Sequence, residues 1–394
     1  MEPETEKREQ LIQDIIANIS KCVRCRFCFS KCPVYEVSGG WTIHGASGIT
    51  QSLYYGIKAN RIDKDLRDIL MRCTTCRSCE ILCEKMMAGV KLVDAIRKGR
   101  ELLLEDEVNP ITEQQKALES LQIMGNPYGR QPAKRTEWAR SLDVKIIGDC
   151  ADGIPLIYYV GCPASYDERL HGVAKSIVGL MNLANIPFGI MGNERCSGDP
   201  ALIMGEADLF AVMADENMKK FKDLSIESIL TTSPHDYNCF LNEYPEELRE
   251  IDLMHYTQFF KRLLDEERLT LKNPFEKTVT YHDPCYLGKH NSVYNEPREL
   301  LKSVPGLELR EMSRTREESL CCGGGGGRMW CDFQESPRLA EIRVLEAIDT
   351  GAEVLATACP FCLSNFEDAL KVLDKEGSLM VKDISEILYE AAKP

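Results

Sequence analysis

No stretch of this 394-residue chain reaches the roughly 18 uninterrupted apolar residues that a membrane-spanning helix needs. The start, Met1-Glu-Pro-Glu-Thr-Glu6, lacks the basic and then apolar order of a secretory leader, so a cytoplasmic protein is expected. Positive charge is scarce as well: the formal net charge is -14, which excludes nucleic acid or anionic lipid as the main partner, because both require a basic face. What the chain has is cysteine. Eighteen of them without an export signal belong to a reducing compartment, where they serve metals or catalysis rather than disulfide scaffolding. A 44% apolar content over this length supports two or three packed domains.

Two runs organise the first third: Cys22-x-x-Cys25-x-x-Cys28-x-x-x-Cys32-Pro33 and Cys73-x-x-Cys76-x-x-Cys79-x-x-x-Cys83. Three thiols at such intervals fit one loop around three corners of a [4Fe-4S] cluster, and the fourth, a turn further on, points to the neighbouring cluster. The expected sets are therefore Cys22, Cys25, Cys28 and Cys83 for the first cluster, and Cys73, Cys76, Cys79 and Cys32 for the second. Zinc would call for paired knuckles, which do not explain two matching four-cysteine runs. Glu84 follows Cys83 where the first run has proline, which removes no ligand. Arg24, Arg26, Lys31, Arg72 and Arg77 crowd the loops, either as solvated loop charge or as a docking patch for an acidic electron-transfer partner.

Apolar Leu11, Ile12, Ile15, Ile16 and Ile19 at helical spacing predict an amphipathic helix over 6–20, packed on its own domain. Further helices are expected at 48–57, 61–72 and 87–105, giving an all-helical ferredoxin-like domain over 1–105. Residues 106–150, punctuated by Pro110, Gly125, Pro127, Gly129 and Pro132, read as an irregular linker wrapping the next domain through Trp138 and Ile146-Ile147.

Beyond the linker the sequence repeats itself, over 151–275 and 276–394. Strand 154–160 ends at Gly161-Cys162, as strand 278–281 ends at His282-Asp283-Pro284-Cys285. The second cysteine sites are Cys196-Ser197-Gly198 and Cys321-Cys322-Gly323. Helices near 201–221 and 337–350 lead into strands 228–232 and 354–357, which end at Ser233-Pro-His-Asp236 and Cys359-Pro-Phe-Cys362. Two βαβ-like units with ligands at strand ends imply α/β subdomains facing each other across a cleft. Cys285, Cys321, Cys322, Cys359 and Cys362 exceed the needs of one cubane. Gly323 to Gly327 let backbone approach and aim N–H groups at a negatively charged centre; a phosphate loop is disfavoured because Arg328-Met329 stand where Lys and Ser/Thr belong.

These cysteines, in this order behind a two-cluster unit, resemble the CCG domains of the D-type subunits of heterodisulfide reductases and their anaerobic iron-sulfur oxidoreductase relatives over nearly the whole chain. The resemblance implies a multidomain α+β protein in which the five C-terminal cysteines hold a non-cubane [4Fe-4S] centre, as the catalytic end of a hetero-oligomeric complex. Its partner would be a flavoprotein or a membrane cytochrome b-type subunit, which would hold the protein at the membrane without a span of its own. His282, Asp283, Pro284, Gly288 and His290 look like the family's stretch around its first cysteine, in turn-forming and hydrogen-bonding roles. The first copy departs from the pattern. Ser197, Ser233 and Asp236 stand where Cys322, Cys359 and Cys362 stand in the second, so Cys162 and Cys196 cannot hold such a cluster, though with Asp236 and His235 or Cys239 they could hold zinc. That loss separates two expectations, a thiol/disulfide reductase and a pure relay of flavoprotein-linked, bifurcating or benzoyl-CoA reductase type. An open cleft at Cys285 and Cys321 would mark the former.

Overall fold

The computed structural model describes residues 3–148 and 153–393. Cys150 and the expected boundary at 150/151 lie outside the described residues. Over 3–105 the regular elements among the described residues are all helices, joined by the cysteine loops and turns. Helix Pro3–Ile19 packs along helix Leu92–Glu105, and Ile15, Ile19, Leu53, Leu70, Ile96 and Leu103 form the buried centre between them and their neighbours. The short helices Ser78–Lys85 and Pro33–Val37 each follow a cysteine loop directly, so thiols at the loop ends are carried on rigid turns.

Two parallel sheets follow. The first takes β1 (Lys145–Ile147), β2 (Leu156–Tyr159), β3 (Phe188–Met191), β4 (Ser228–Thr231) and β5 (Asp252–His255) in the order β1-β3-β2-β4-β5. The second takes β6 (Thr278–Tyr281), β7 (Glu308–Leu309), β8 (Val354–Thr357) and β9 (Met380–Asp383) in the order β7-β6-β8-β9. Omitting β1, the two orders are the same, so the repeat seen in the sequence is a repeat of topology. β2, β4, β6 and β8 are almost wholly buried, as parallel strands covered on both faces must be. The halves share one core: helix His171–Leu183 packs on helix Ile384–Ala392, where Gly179 leaves room for the Tyr389 ring.

The segment expected to be an irregular linker is not irregular. It contains helix Thr112–Met124, which buries Ala117, Leu118 and Leu121 and stops at Gly125 in the left-handed region. It then supplies β1, which pairs in parallel with β3. The prolines and glycines that suggested an irregular linker fall before the helix, at Pro110, or between it and β1. The helix expected over 201–221 is broken in two, Asp199–Met204 and Ala207–Asp223, by Gly205 at φ 100°. A side chain there would strike the backbone of Arg100 and Glu101, so this break lets the first half approach the ferredoxin-like domain.

Candidate functional site

In both N-terminal loops the residues flanking the middle cysteine have left-handed backbone: Arg24 (φ 58°) and Arg26 (φ 63°), Thr75 (φ 52°) and Arg77 (φ 65°). Non-glycine residues adopt this conformation at a cost of about 1 kcal/mol or more, and here it curls each loop around a cavity. Cys22, Cys25, Cys28 and Cys83 line one cavity, and Cys73, Cys76, Cys79 and Cys32 line the other. The fourth cysteine of each run thus sits with the other run's loop. Between them, Cys22, Cys28 and Cys83 share a small space with Cys79. The Thr75 amide donates to Cys73 Sγ at 3.3 Å, a bond suited to a thiolate sulfur. Burial pushes the Cys28 and Cys73 thiols up to about 12 and Cys32 up to about 11. Such thiols lose their protons to a metal rather than to water, and the donor sets fit [4Fe-4S] clusters.

The second loop is pressed against the C-terminal half. Cys76, Cys285, Tyr286 and Cys321 form one buried cluster, so the Cys76 and Cys321 thiols adjoin across the two domains. Around them the Thr75 and Tyr286 hydroxyls meet at 2.9 Å, Arg77 donates to the Lys289 and His290 carbonyls at 3.3 Å, and Lys289 Nζ reaches Ser78 Oγ and the Ser319 carbonyl at 2.6 Å. The fully buried Arg100 ties the same joint, donating to the carbonyls of Leu70 (2.8 Å), Cys73 (3.1 Å) and Gly326 (3.0 Å). The glycine run therefore has two duties, where its sequence suggested one. The Gly323 amide donates to Cys321 Sγ at 3.4 Å, facing the sulfur centre as expected. Gly325 and Gly326 instead face the other domain, where any Cβ would run into the Thr74 and Cys73 carbonyls.

Cys285 follows β6, Cys359 follows β8 at the start of helix Pro360–Val372, and the Cys321–Cys322 turn lies between them. All five thiols are buried, and the Cys362 and Cys322 sulfurs are 3.3 Å apart. Hydrogen bonds from Cys321 and Cys362 hold Cys322 well below the usual thiol range, while the Cys321 contact and burial push Cys285 well above it. A ring nitrogen of His282 lies within 4.8 Å of the Cys322 and Cys362 sulfurs. Arg343 Nε donates to His282 Nδ1 at 3.2 Å, and arginine can only donate, so the ring proton sits on Nε2, which is buried without another partner. Burial, with Arg343 and Lys289 beside it, keeps this imidazole neutral by driving its pKa far down. His282 thus presents an unpartnered N–H close to the sulfurs. Replacing it with alanine is expected to lower the reduction potential of a loaded centre without loss of iron, because hydrogen bonds to sulfur favour the reduced state; a potentiometric titration followed by electron paramagnetic resonance reads this. Asp283 is clamped by Arg298 at 2.6 and 2.9 Å, Gly288 makes room for Tyr294, and His290 Nε2 meets the Thr75 carbonyl at 2.9 Å.

Cys285 and Cys321 are buried among the described residues, without the open cleft that would mark the reductase. A cavity of about 580 Å³ opens instead onto Cys322, Gly323 and Asn365, walled by Arg328, Trp330 and Phe333. Its size suits a small molecule.

The first copy is built differently. Arg135, from the segment read as linker, donates to Cys162 Sγ at 3.4 and 3.5 Å and pairs with buried Glu194. Burial pushes the Cys162 thiol up, but the hydrogen bond from Cys196 and the Arg135 charge bring it below its ordinary value. The zinc helpers are engaged elsewhere: His235 bonds Asp199 at 3.1 Å and stacks on Tyr286 at 3.8 Å, and Cys239 donates to the Ser197 carbonyl at 3.6 Å. Asp236 accepts from Ser197 at 2.5 Å, and burial raises its pKa to about 7. Among the described residues, His282, Cys322 and Cys362 are the sole trio close enough for a single ion, and at Cys162 the Arg135 guanidinium lies beside the sulfur. Arg135 and Arg100 carry no local motif, and sequence reasoning missed both.

Residues 156–241 and 279–367 match the CCG cysteine-rich domain family, and 18–87 match the 4Fe-4S dicluster domain family. The chain is 30% identical to the D-type subunit of the dihydromethanophenazine:CoB–CoM heterodisulfide reductase of Methanosarcina barkeri over 95% of this chain and 94% of that protein. It is 35% identical to the probable iron-sulfur-binding oxidoreductase FadF of Bacillus subtilis and 30% identical to the EtfAB:quinone oxidoreductase of Syntrophomonas wolfei, covering 81% and 86% of this chain. It spans about half the length of those two proteins, 46% and 48%. A hypothetical protein from Helicobacter pylori shares the fold at a TM-score of 0.53 and 11% identity, over 100% of this chain and 73% of that one.

Proposed function

The chain belongs to the family of heterodisulfide reductase D-type subunits, and from that premise we propose that it conducts electrons from its N-terminal end to a five-cysteine centre that reduces a small disulfide. The observation that carries this reading is the contact between Cys76 and Cys321, which joins the second cysteine loop to the C-terminal thiols without an intervening residue. In this assignment Cys22, Cys25, Cys28 and Cys83 hold one [4Fe-4S] cluster, Cys73, Cys76, Cys79 and Cys32 a second, and Cys285, Cys321, Cys322, Cys359 and Cys362 a non-cubane one. Bound clusters would supply one-electron carriers in series. The chain's own residues do the rest. Tyr286, Lys289 and Arg100 hold the joint closed to water, the Gly323 amide and His282 stabilise sulfur charge, and the cavity at Cys322 admits substrate. The overall change is RSSR′ + 2e⁻ + 2H⁺ → RSH + R′SH.

A relay that hands electrons to another protein of the complex is the second reading, favoured by the burial of Cys285 and Cys321. The experiment begins with iron content: anaerobically purified protein is expected to hold about twelve irons, four for each of three clusters. A value of about eight removes the C-terminal centre and the proposal with it. With twelve present, turnover of small disulfides at the cavity supports the reductase, and its complete absence supports the relay.

A further inference from the structure

The ferredoxin-like domain carries the same loop twice, and only one copy is covered. Backbone conformation agrees at the equivalent positions, with Arg24 and Arg26 matching Thr75 and Arg77. Burial is opposite. Thr74, Thr75 and Cys76 are buried under the C-terminal half, and Arg77 is engaged by the Lys289 and His290 carbonyls. Their counterparts Val23, Arg24, Cys25 and Arg26 are all exposed. Val23 (74% exposed), Phe27 (55%) and Met86 (48%) line the cavity with Cys22, Cys25, Cys28 and Cys83, and Met87, next to Met86 in the chain, is 92% exposed. Large apolar side chains grouped around a thiol cavity are characteristic of a covered surface rather than a free one.

Charge identifies the kind of cover. Residues 20–31 contain Lys21, Arg24, Arg26 and Lys31 and no acidic residue, in a chain whose net charge is -14. Lys31 is paired with Glu318, and Lys85 beside the loop with Glu317 at 2.5 Å. Among the described residues no carboxylate pairs with Lys21, Arg24 or Arg26; Arg24 donates to the Tyr55 hydroxyl at 3.0 Å. We infer that this face, Val23, Phe27 and Met87 ringed by Lys21, Arg24 and Arg26, is the docking site of an acidic one-electron carrier protein. Such a carrier brings the negative charge that steers encounter and fixes orientation. The inference rests on the cluster assignment above. Each encounter oxidises the carrier by one electron and reduces the chain by one, with no bond made or broken on the chain. A membrane surface would satisfy the charge and the apolar residues but not the position of the face over a thiol cavity.

The test uses the whole iron-loaded chain and an acidic flavodoxin in its hydroquinone form, with equilibrium binding measured by calorimetry and cluster reduction by stopped flow. Arg24→Glu with Arg26→Glu is expected to weaken binding and slow reduction by about tenfold or more, with the wild-type rate falling as salt rises. Met87→Asp, outside the cysteine loop, is expected to act the same way, and Arg140→Glu on a distant surface to change neither. Reduction by dithionite, which needs no docking, stays equal to wild type in Met87→Asp and Arg140→Glu. Unchanged flavodoxin binding in the Arg24/Arg26 and Met87 variants overturns the docking site while leaving the clusters standing. A wild-type chain without iron, or inert to dithionite, overturns the cluster assignment instead. Binding of vesicles of phosphatidylcholine and phosphatidylserine that these substitutions abolish, with flavodoxin binding intact, assigns the face to a membrane and overturns the proposal.

Discussion

Replacing Cys322 with serine is expected to reduce iron from about twelve to about eight per chain and to cut disulfide reduction by at least about a hundredfold, with both N-terminal cubanes intact. Cys322 carries this weight because it combines three features. Its sulfur accepts from both Cys321 and Cys362, so its thiolate is the most favoured of the five, and it borders the cavity through which a small molecule enters. Removing it takes away the middle of the group as well as the thiol that borders the cavity. Cys196→Ser, by contrast, is expected to keep the iron and the activity and to cost stability alone, since Arg135 meets Cys162 without help from a metal. Iron assay, electron paramagnetic resonance and turnover read both variants together. Loss of disulfide reduction in Cys196→Ser with all iron retained would make the first half catalytic and would refute the five-cysteine reading.

Gly326→Ala is expected to have the second largest effect, although the substitution touches no cysteine. Gly326 has φ 67°, and a methyl group there collides with the Cys73 carbonyl, which Arg100 holds rigidly in place. Left-handed strain alone costs about 1 kcal/mol. The collision adds to it, because the obstacle is backbone fixed by a buried guanidinium that also bonds the Gly326 carbonyl itself. The joint should open, separating Cys76 from Cys321, so that electrons delivered to the cubanes reach the C-terminal centre at least about tenfold more slowly. Rapid-freeze spectroscopy after dithionite mixing measures that transfer, and thermal unfolding measures the stability. Gly377→Ala provides the comparison: at φ 88° with open space around it, it carries the strain without the collision. Equal transfer rates in the two variants would show that the glycine run serves the sulfur centre alone.

Features that are local or periodic were legible in the amino-acid order. Cysteine spacing at Cys22 and Cys73 marked both loops, since the reach of a thiol on a short loop depends only on its neighbours. β6 and β8 were legible to the residue because short β-branched and apolar stretches, Thr278-Val-Thr-Tyr281 and Val354-Leu-Ala-Thr357, stand directly ahead of cysteine sites, and the order of those sites exposed the duplication before its topology was visible. Helix Thr112–Met124 and β1 escaped because their stability comes from surfaces far along the chain, and propensity cannot weigh a partner it does not see. Which cysteines meet across the domains depends on tertiary packing. Cys76 and Cys321 are separated by more than half the chain, and their contact depends on Arg100, on Tyr286 and on two glycines whose value lies in what they leave empty. The same holds for Arg135 beside Cys162, a charge with no motif that reaches the thiol by tertiary packing alone. The cysteine loops follow from short-range spacing, which a sequence writes down directly; the path between the loops and the exposed face of the first one follow from which surfaces fold together, which it does not.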